Sequence, residues 1–565
     1  MRILLQIFKN LSRTERWIFI AACLIFTTSS IFMAVDLLYR DTNLVPIAGG
    51  EYIEGLINQP TFINPVLAGS NGSDRDLIEL VFSNLLDLAE NYKVDEPRNS
   101  TELSLRGENN RTWNIRLKEN ILWDDGQPIT SDDVIFTITT IQDSDSRSPL
   151  FSMWQEVKSE RVSEREIKLI LPETYAFFEA TLKELKIIPK HIFGSVPAAN
   201  FRLSDFNLEP IGSGPFKFLS FRKERSGFIS EYQLIRNEYY FGQKPYLEKI
   251  VFKFYQDEEE LIKAFNSGAI NGFGGLNQKN LGKININHQT FEIRMPRYYA
   301  IFFNSYSQDV LKDKNVRLAL NYATDRKKII EKVFDNRALP VEGPLVAGMK
   351  GYAAEIYPKE NFSPEKASQI LEAGGWQSNP EGIREKNFDK QVKRLEFDLT
   401  VPEIPFLVET ANLIKEDWLK IGVKLNLIVH SPQQINDEII KTRNYQMLIF
   451  GNIFGNGDSP DLYSFWHSSE RFYPGLNLAL YENKTADTLI QSIRKTLNDS
   501  KRQTDLSSLQ SIIIQDYPAV FLFSPHYLYV SKNWLKGFDE RFIPSSSGRF
   551  QSIEKWYIKT ARVFK

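Results

Sequence analysis

One cysteine, Cys23, stands in a chain of 565 residues. No intrachain disulfide is possible, and no thiolate cluster can hold a metal. Histidine is nearly as scarce. His191, His288, His430, His467 and His526 lie far apart, and none falls at the HxxxH or HExxH spacing that sets two imidazoles on one helix face. No G-x-S-x-G elbow, P-loop or Cys-His signature occurs, so hydrolase and NTPase chemistry have no positive support. An excess of charge is also missing. Sixty-nine basic residues meet 71 acidic ones, a formal net charge of -2, which leaves no basic face to displace counterions from nucleic-acid phosphates. Neither catalysis, a cofactor, a metal site nor a nucleic-acid partner is expected.

What the chain has in plenty is apolar and aromatic surface. Hydrophobic residues make up 42% and aromatic residues 13%, enough for a generous core or for the walls of a large ligand cleft. With 25% charged residues the balance is that of a globular protein, and the length allows about three to four domains of ~150 residues. The most apolar stretch is Trp17–Leu38, WIFIAACLIFTTSSIFMAVDLL, whose only charge, Asp36, lies near its outer end. A helix of about 20 residues, rising 1.5 Å per residue, crosses the ~30 Å hydrocarbon layer. Arg2, Lys9, Arg13 and Arg16 against Glu15 place segment 1–16 in the cytoplasm by the positive-inside rule. Residues 17–38 are therefore expected to be an uncleaved single-pass anchor, residues 39–45 a short polar linker, and the remainder extracytoplasmic. Two other readings compete. Ile20-Ala21-Ala22-Cys23 resembles a lipobox, but only six residues separate Arg16 from Cys23, and the apolar run continues past it. A cleaved signal peptide has a shorter apolar core and small residues at its site, whereas Phe32-Met33-Ala34 closes a longer run here.

Beyond the anchor, strand-like and helix-like patterns alternate. In RLEFDLTVPE, Leu395, Phe397 and Leu399 alternate as in a strand; Leu407, Ala411, Ile414 and Trp418 then recur at helical spacing, and VKLNLIV follows. Strand, helix, strand is a βαβ unit, which implies parallel strands and an α/β sheet that binds ligands at its strand ends. No short repeat or low-complexity segment interrupts it. In TWNIRLKENILWDDGQPITSDDVIFTITTIQ, Trp113, Ile115 and Leu117 alternate, Asp125-Gly126 marks a turn, and Thr130 with Asp133 predicts a capped helix start. Asp124, Asp125, Asp132 and Asp133 thus have structural duties and are not expected to form a catalytic pair. Arg317, Asp325 and Arg326 sit on a helical pattern whose spacing suggests surface and helix-end pairing at least as much as ligand contact.

The segment Trp123-Asp124-Asp125-Gly126-Gln127-Pro128-Ile129-Thr130-Ser131-Asp132-Asp133-Val134-Ile135-Phe136-Thr137 resembles the signature of the family 5 extracellular solute-binding proteins, the oligopeptide, dipeptide and nickel receptors of ABC importers. Gly212-Ser213-Gly214-Pro215-Phe216, Asn237 to Tyr240, Ala264 to Asn271 and Val316 to Arg326 are similar to further motifs of that family, in its order. The resemblance implies an α/β fold of the type II (cluster C) periplasmic-binding-protein-like kind, with two lobes and an inserted third domain. Lobe I would comprise 46–88, 205–297 and 521–565, the inserted domain 89–204, and lobe II 298–520. It also implies capture of an extended peptide between the lobes by a monomer, which hands it to an importer's permease and ATPase. An anchored sensor or assembly factor on the same fold is the alternative. In peptide-binding members an aspartate in a lobe II loop pairs with the peptide ammonium. That loop resembles Asn456 to Leu462 here, with uncharged Asn456 nearest the family position. Asp458 and Asp461 are the candidate substitutes, and Tyr463 and Trp466 the candidate cleft walls.

Overall fold

The computed structural model describes residues 12–94, 111–357, 362–388, 391–454 and 461–565. Its first element is a helix, Arg13–Arg40, opened by Ser12 and Glu15 in a reciprocal cap. None of the residues Arg13–Leu37 is buried, and the length and composition of this stretch suit a membrane span. The polar linker expected at 39–45 is not one. The helix continues to Arg40, and strand Thr42–Pro46 then pairs antiparallel with Thr560–Phe564, Thr42 opposite Phe564. Sequence proximity could not show this, because the partner strand lies at the other end of the chain.

Two mixed sheets organise the rest. A seven-stranded sheet runs in the order Gln289–Ile293, Tyr527–Ser531, Gly272–Gly274, Glu51–Ile57, Lys249–Tyr255, Ile229–Arg236, Phe216–Lys223. A six-stranded sheet runs Ala338–Pro340, Ala519–Pro525, Arg297–Phe303, Met447–Ile453, Glu396–Pro402, Lys424–His430. The chain passes between them twice, after Ile293 and again at His526. The six-stranded sheet holds Ala519–Pro525, so the second crossing falls a few residues beyond the expected 521. We refer to the two bodies as lobe I and lobe II.

The βαβ unit lies in the six-stranded sheet. Glu396–Pro402 and Lys424–His430 are parallel neighbours joined by helix Pro405–Leu419, whose Leu407, Ala411, Ile414 and Trp418 are all buried. A separate four-stranded antiparallel sheet, Ala89–Val94, Thr112–Leu117, Glu166–Ile170 and Lys158–Arg161, carries helix Ser131–Gln142. Its hydrophobic core is continuous with that of lobe I. Thr130 caps that helix, with Asp133 Oδ2 accepting from the Thr130 N–H at 2.8 Å. Asp124 fastens this sheet to lobe I. Its carboxylate accepts from the Gly212 N–H at 2.9 Å, and burial pushes it up to about 6. Gly212 lies against the Val81 carbonyl, where a Cβ would come within 2.0 Å of the oxygen, so no larger residue fits the return.

Arg317 pairs with helix ends as expected, whereas Arg326 is not a surface pairing residue. Arg326 is buried and donates to the Phe521 carbonyl at 2.7 Å, while Arg317 donates to the carbonyls of Asp516 and Leu311, each at 2.7 Å. Arg317 thus joins the ends of two helices, while Arg326 ties its helix to the Ala519–Pro525 strand.

In the centre of lobe I, Arg549 donates to Glu54 at 2.9 Å and to Asp76 at 2.6 Å, and all three side chains are fully buried. The Tyr529 hydroxyl donates to Glu54 at 2.9 Å and meets the Tyr52 hydroxyl at 2.7 Å. Two carboxylates facing one guanidinium leave a buried negative charge unless one of them keeps its proton. Burial pushes Glu54 up to about 7, against the opposing pull of Arg549. An acid raised in the folded state stabilises the fold fully below its ordinary value of 4.5, and that contribution is lost as pH rises through about 7. The unfolding midpoint is therefore expected to fall from pH 5 to pH 8, by a contribution on the order of 3 kcal/mol at ~1.4 kcal/mol per pK unit. Glu54→Gln, neutral at every pH, should flatten the fall. Identical thermal profiles for the two proteins would mean that Glu54 is ionised throughout.

Candidate functional site

A cleft of about 1500 Å³ opens between the lobes. Three helices and one turn build its walls. Helix Gly72–Val81 of lobe I, begun by an Asn71 cap, presents Arg75 and Glu79. Helix Phe178–Glu184, on the four-stranded sheet's side, presents Glu179, Lys183 and Glu184. Helix Asp499–Asp516 of lobe II, capped by Asn498, presents Asp499, Arg502, Gln503 and Leu506. The turn Ser545–Gly548, held from behind by Arg549, closes one side. Tyr92 stacks on Trp113 at 5.5 Å to give an aromatic panel, and Trp113 meets Phe178 edge-on at 5.3 Å.

The walls carry charge of both signs in balance. Five basic side chains (Arg75, Lys183, Lys186, Lys350, Arg502) face five acidic ones (Glu79, Asp87, Glu179, Glu184, Asp499). Several are already paired: Lys186 with Glu79 at 3.3 Å, Lys183 with Glu179 at 3.1 Å, and Arg502 with Asp499. Glu184 is open to the cleft, yet protein surrounds it closely enough that desolvation pushes its carboxyl up to about 7. Such a cavity suits a ligand with both charges more than a strongly anionic or cationic one.

A strand edge also reaches this space. Met447–Ile453 pairs along its whole length with Arg297–Phe303, but its other neighbour, Glu396–Pro402, pairs only at Met447 and Leu448. Among the described residues no strand pairs with that edge from Ile449 onward, and Ile453 lines the cleft. Unpaired strand edges are templates for an added strand.

The sequence-derived candidates are placed unequally. Asn456 and Asp458 lie outside the described residues. Asp461 already has three partners. Its Oδ2 accepts from the Tyr175 hydroxyl at 2.9 Å and pairs with Arg494 at 3.1 Å, and its Oδ1 accepts from the Tyr463 N–H at 3.0 Å. Tyr463 lies under the Arg494 guanidinium, 4.2 Å from the ring centre, and stacks on His467 at 4.4 Å. It is not among the residues lining the cleft. Trp466 is a core residue and no cleft wall. It is fully buried, with Tyr481, Phe521 and Phe302 packed around it.

These contacts form a clasp between the bodies. Segment Glu173–Phe177 reaches from the four-stranded sheet onto lobe II. Ala176 N–H donates to the Arg494 carbonyl at 2.6 Å, Lys495 pairs with Glu173 at 2.7 Å, and Phe177 is buried in the lobe II core. Burial and the neighbouring Asp461 push the Tyr175 phenol far above its usual value, so it remains a donor. Asp461 thus lies at the contact between Tyr175 and Arg494. The wall residues Arg75, Lys183 and Arg502 carry no motif in the sequence, where among the wall residues Trp113 stands out, as a strand residue.

Residues 88–473 match the profile of the bacterial extracellular solute-binding proteins, family 5 middle. The chain is a family 5 solute-binding protein. The oligopeptide-binding protein AppA of Bacillus subtilis is 28% identical over 528 residues, covering 91% of this chain and 92% of its own. The structure of that AppA in complex with a nonapeptide aligns with a TM-score of 0.69 and 25% identity, over 91% of this chain and all of the other. The substrate-binding protein CtaP of Listeria monocytogenes aligns at 0.75 with 25% identity, over 91% of this chain and all of CtaP. NikZ of Campylobacter jejuni, solved with Ni(L-His), shares the fold at 0.68 with 23% identity, over 90% of this chain and 99% of its own. As a member of this family, the solute-binding protein works outside the cytoplasm, and its clefted two-sheet architecture is that of the periplasmic binding proteins.

Proposed function

We propose that this solute-binding protein is held at the membrane by Arg13–Arg40, captures peptides between its lobes as a monomer, and delivers them to an ABC importer. The size and chemistry of the cleft carry this reading. Its volume of about 1500 Å³ exceeds the ~300–1,000 Å³ usual for small-molecule sites. Balanced charges suit a zwitterionic chain with varied side chains. The open edge at Ile449–Ile453 offers main-chain hydrogen bonds that ignore sequence. The nonapeptide held by AppA supports a ligand of that length.

Native mass spectrometry of the full chain in mild detergent should find peptides co-purified with it, and added oligopeptides should raise its unfolding temperature without being cleaved over hours. A co-purified metal chelate or sugar, with no response to peptides, would overturn the ligand class. Mass analysis of the membrane fraction should show the N-terminal helix intact. A mature chain beginning at a lipidated Cys23 would overturn the anchor.

A further inference from the structure

We propose that the two-stranded ribbon Thr42–Pro46/Thr560–Phe564 seats in the phospholipid headgroup layer, so that lobe I stands on the membrane instead of trailing from a loose tether. The inference rests on the anchored reading of Arg13–Arg40. Four apolar side chains at this place are exposed: Phe564 by 77%, Tyr39 by 61%, Leu44 by 60% and Val563 by 43%. The register puts them on both faces of the ribbon. Phe564, opposite Thr42, shares a face with Leu44, while Val563, opposite Asn43, points to the other. A ribbon packed on its own protein would show one apolar face inward and one polar face outward. Here both faces present hydrocarbon, and a bare two-stranded ribbon is marginal in water.

Position along the chain names the occupant. The apolar helix ends at Arg40, and Lys565 N–H donates to the Asp41 carbonyl at 2.9 Å, which brings the Phe564 end of the ribbon to the helix terminus. At ~3.3 Å per residue, Leu44 lies within about 10 Å of that point, close to the depth of the polar layer flanking the ~30 Å hydrocarbon core. Arg562 packs its guanidinium 3.8 Å from the Tyr39 ring centre and donates to Thr42 Oγ1 at 3.1 Å, locking helix end to ribbon. Arg40 and Arg562 offer guanidiniums that match lipid phosphates, and a tyrosine at headgroup level is where such rings partition.

The chain's only cysteine makes the test direct. In a Cys23→Ser background, a bimane label is placed by Leu44→Cys or by Val563→Cys, on opposite faces and with Phe564 kept. The full chain is reconstituted into phosphatidylcholine/phosphatidylglycerol vesicles, and quenching by lipids spin-labelled near the headgroup is compared with a Leu203→Cys label, 81% exposed and far along the chain. Both ribbon labels should be quenched at least about threefold more strongly than the Leu203 label, as for groups held at the interface. Ribbon labels that behave like Leu203, while a label on native Cys23 is quenched by mid-chain spin-labelled lipid, would overturn the ribbon and leave the anchor standing. A Cys23 label that is not quenched would overturn both.

Discussion

Arg549→Met is expected to lower the stability of the solute-binding protein by about 3–5 kcal/mol, the usual cost of removing one partner from a buried ion pair. The guanidinium serves two carboxylates at once, makes five hydrogen bonds, and lies 4.1 Å from the Phe550 ring centre. Methionine fills part of the volume but leaves Glu54 and Asp76 facing each other in a dry core. Both must then bind protons to stay buried, so the loss should be larger at pH 8 than at pH 5. Replacing all three charged residues together with apolar ones of similar volume should recover most of the loss, because the desolvation cost disappears with the charges. The effect should also reach the ligand. Arg549 donates to the Ser546 carbonyl at 2.8 Å and so fixes the turn that closes one side of the cleft. Thermal and urea unfolding of the single and triple variants decide the matter. A single variant within ~1 kcal/mol of wild type would show that the cluster contributes little.

A second large effect is expected at the ligand, and it separates two aspartates. If Asp458 pairs with the peptide ammonium, a charge-assisted hydrogen bond worth about 1.5–3 kcal/mol is at stake. Asp458→Asn should then weaken peptide binding roughly 10- to 150-fold, and N-acetylated peptides should lose a similar factor on the wild type. The two changes combined should cost less than their sum, since they break one interaction from both sides. Asp461→Asn should behave differently. Its carboxylate holds Tyr175 and Arg494 across the clasp, so its loss weakens closure whatever the peptide's terminus carries. Its effect and that of acetylation should therefore add. Calorimetric titration of the four protein–peptide combinations for each aspartate gives the coupling. If Asp458→Asn and acetylation each leave affinity unchanged, the ligand's terminus is not read in this loop.

Much of the fold was legible because it is local. The Thr130 cap, the turn at Asp125-Gly126 and the βαβ unit from Leu395 to His430 are each written in a window of a few dozen residues, where periodicity and capping chemistry suffice. What escaped was non-local. The linker became a strand because Thr560–Phe564 pairs with it, and Trp466 became core because Phe302 and Phe521 come from distant strands. Trp466 and Asp461 also show why side-chain type alone misleads at a cleft. A tryptophan and an aspartate beside a loop read equally well as ligand contacts or as the fastenings behind them, and only the identity of their neighbours decides.

The continuous core shared by lobe I and the four-stranded sheet has a consequence for how the receptor reports on its ligand. If the anchored reading holds, that whole body is tied to the bilayer at one end, and lobe II is joined to it through two strand crossings and the clasp. Seen from the membrane, opening and closing are then motions of lobe II against a stationary frame. A partner that also sits in the membrane would find lobe I at the same height and angle whether or not ligand is bound. Occupancy would be written in lobe II alone, as the position of one body against a fixed ruler.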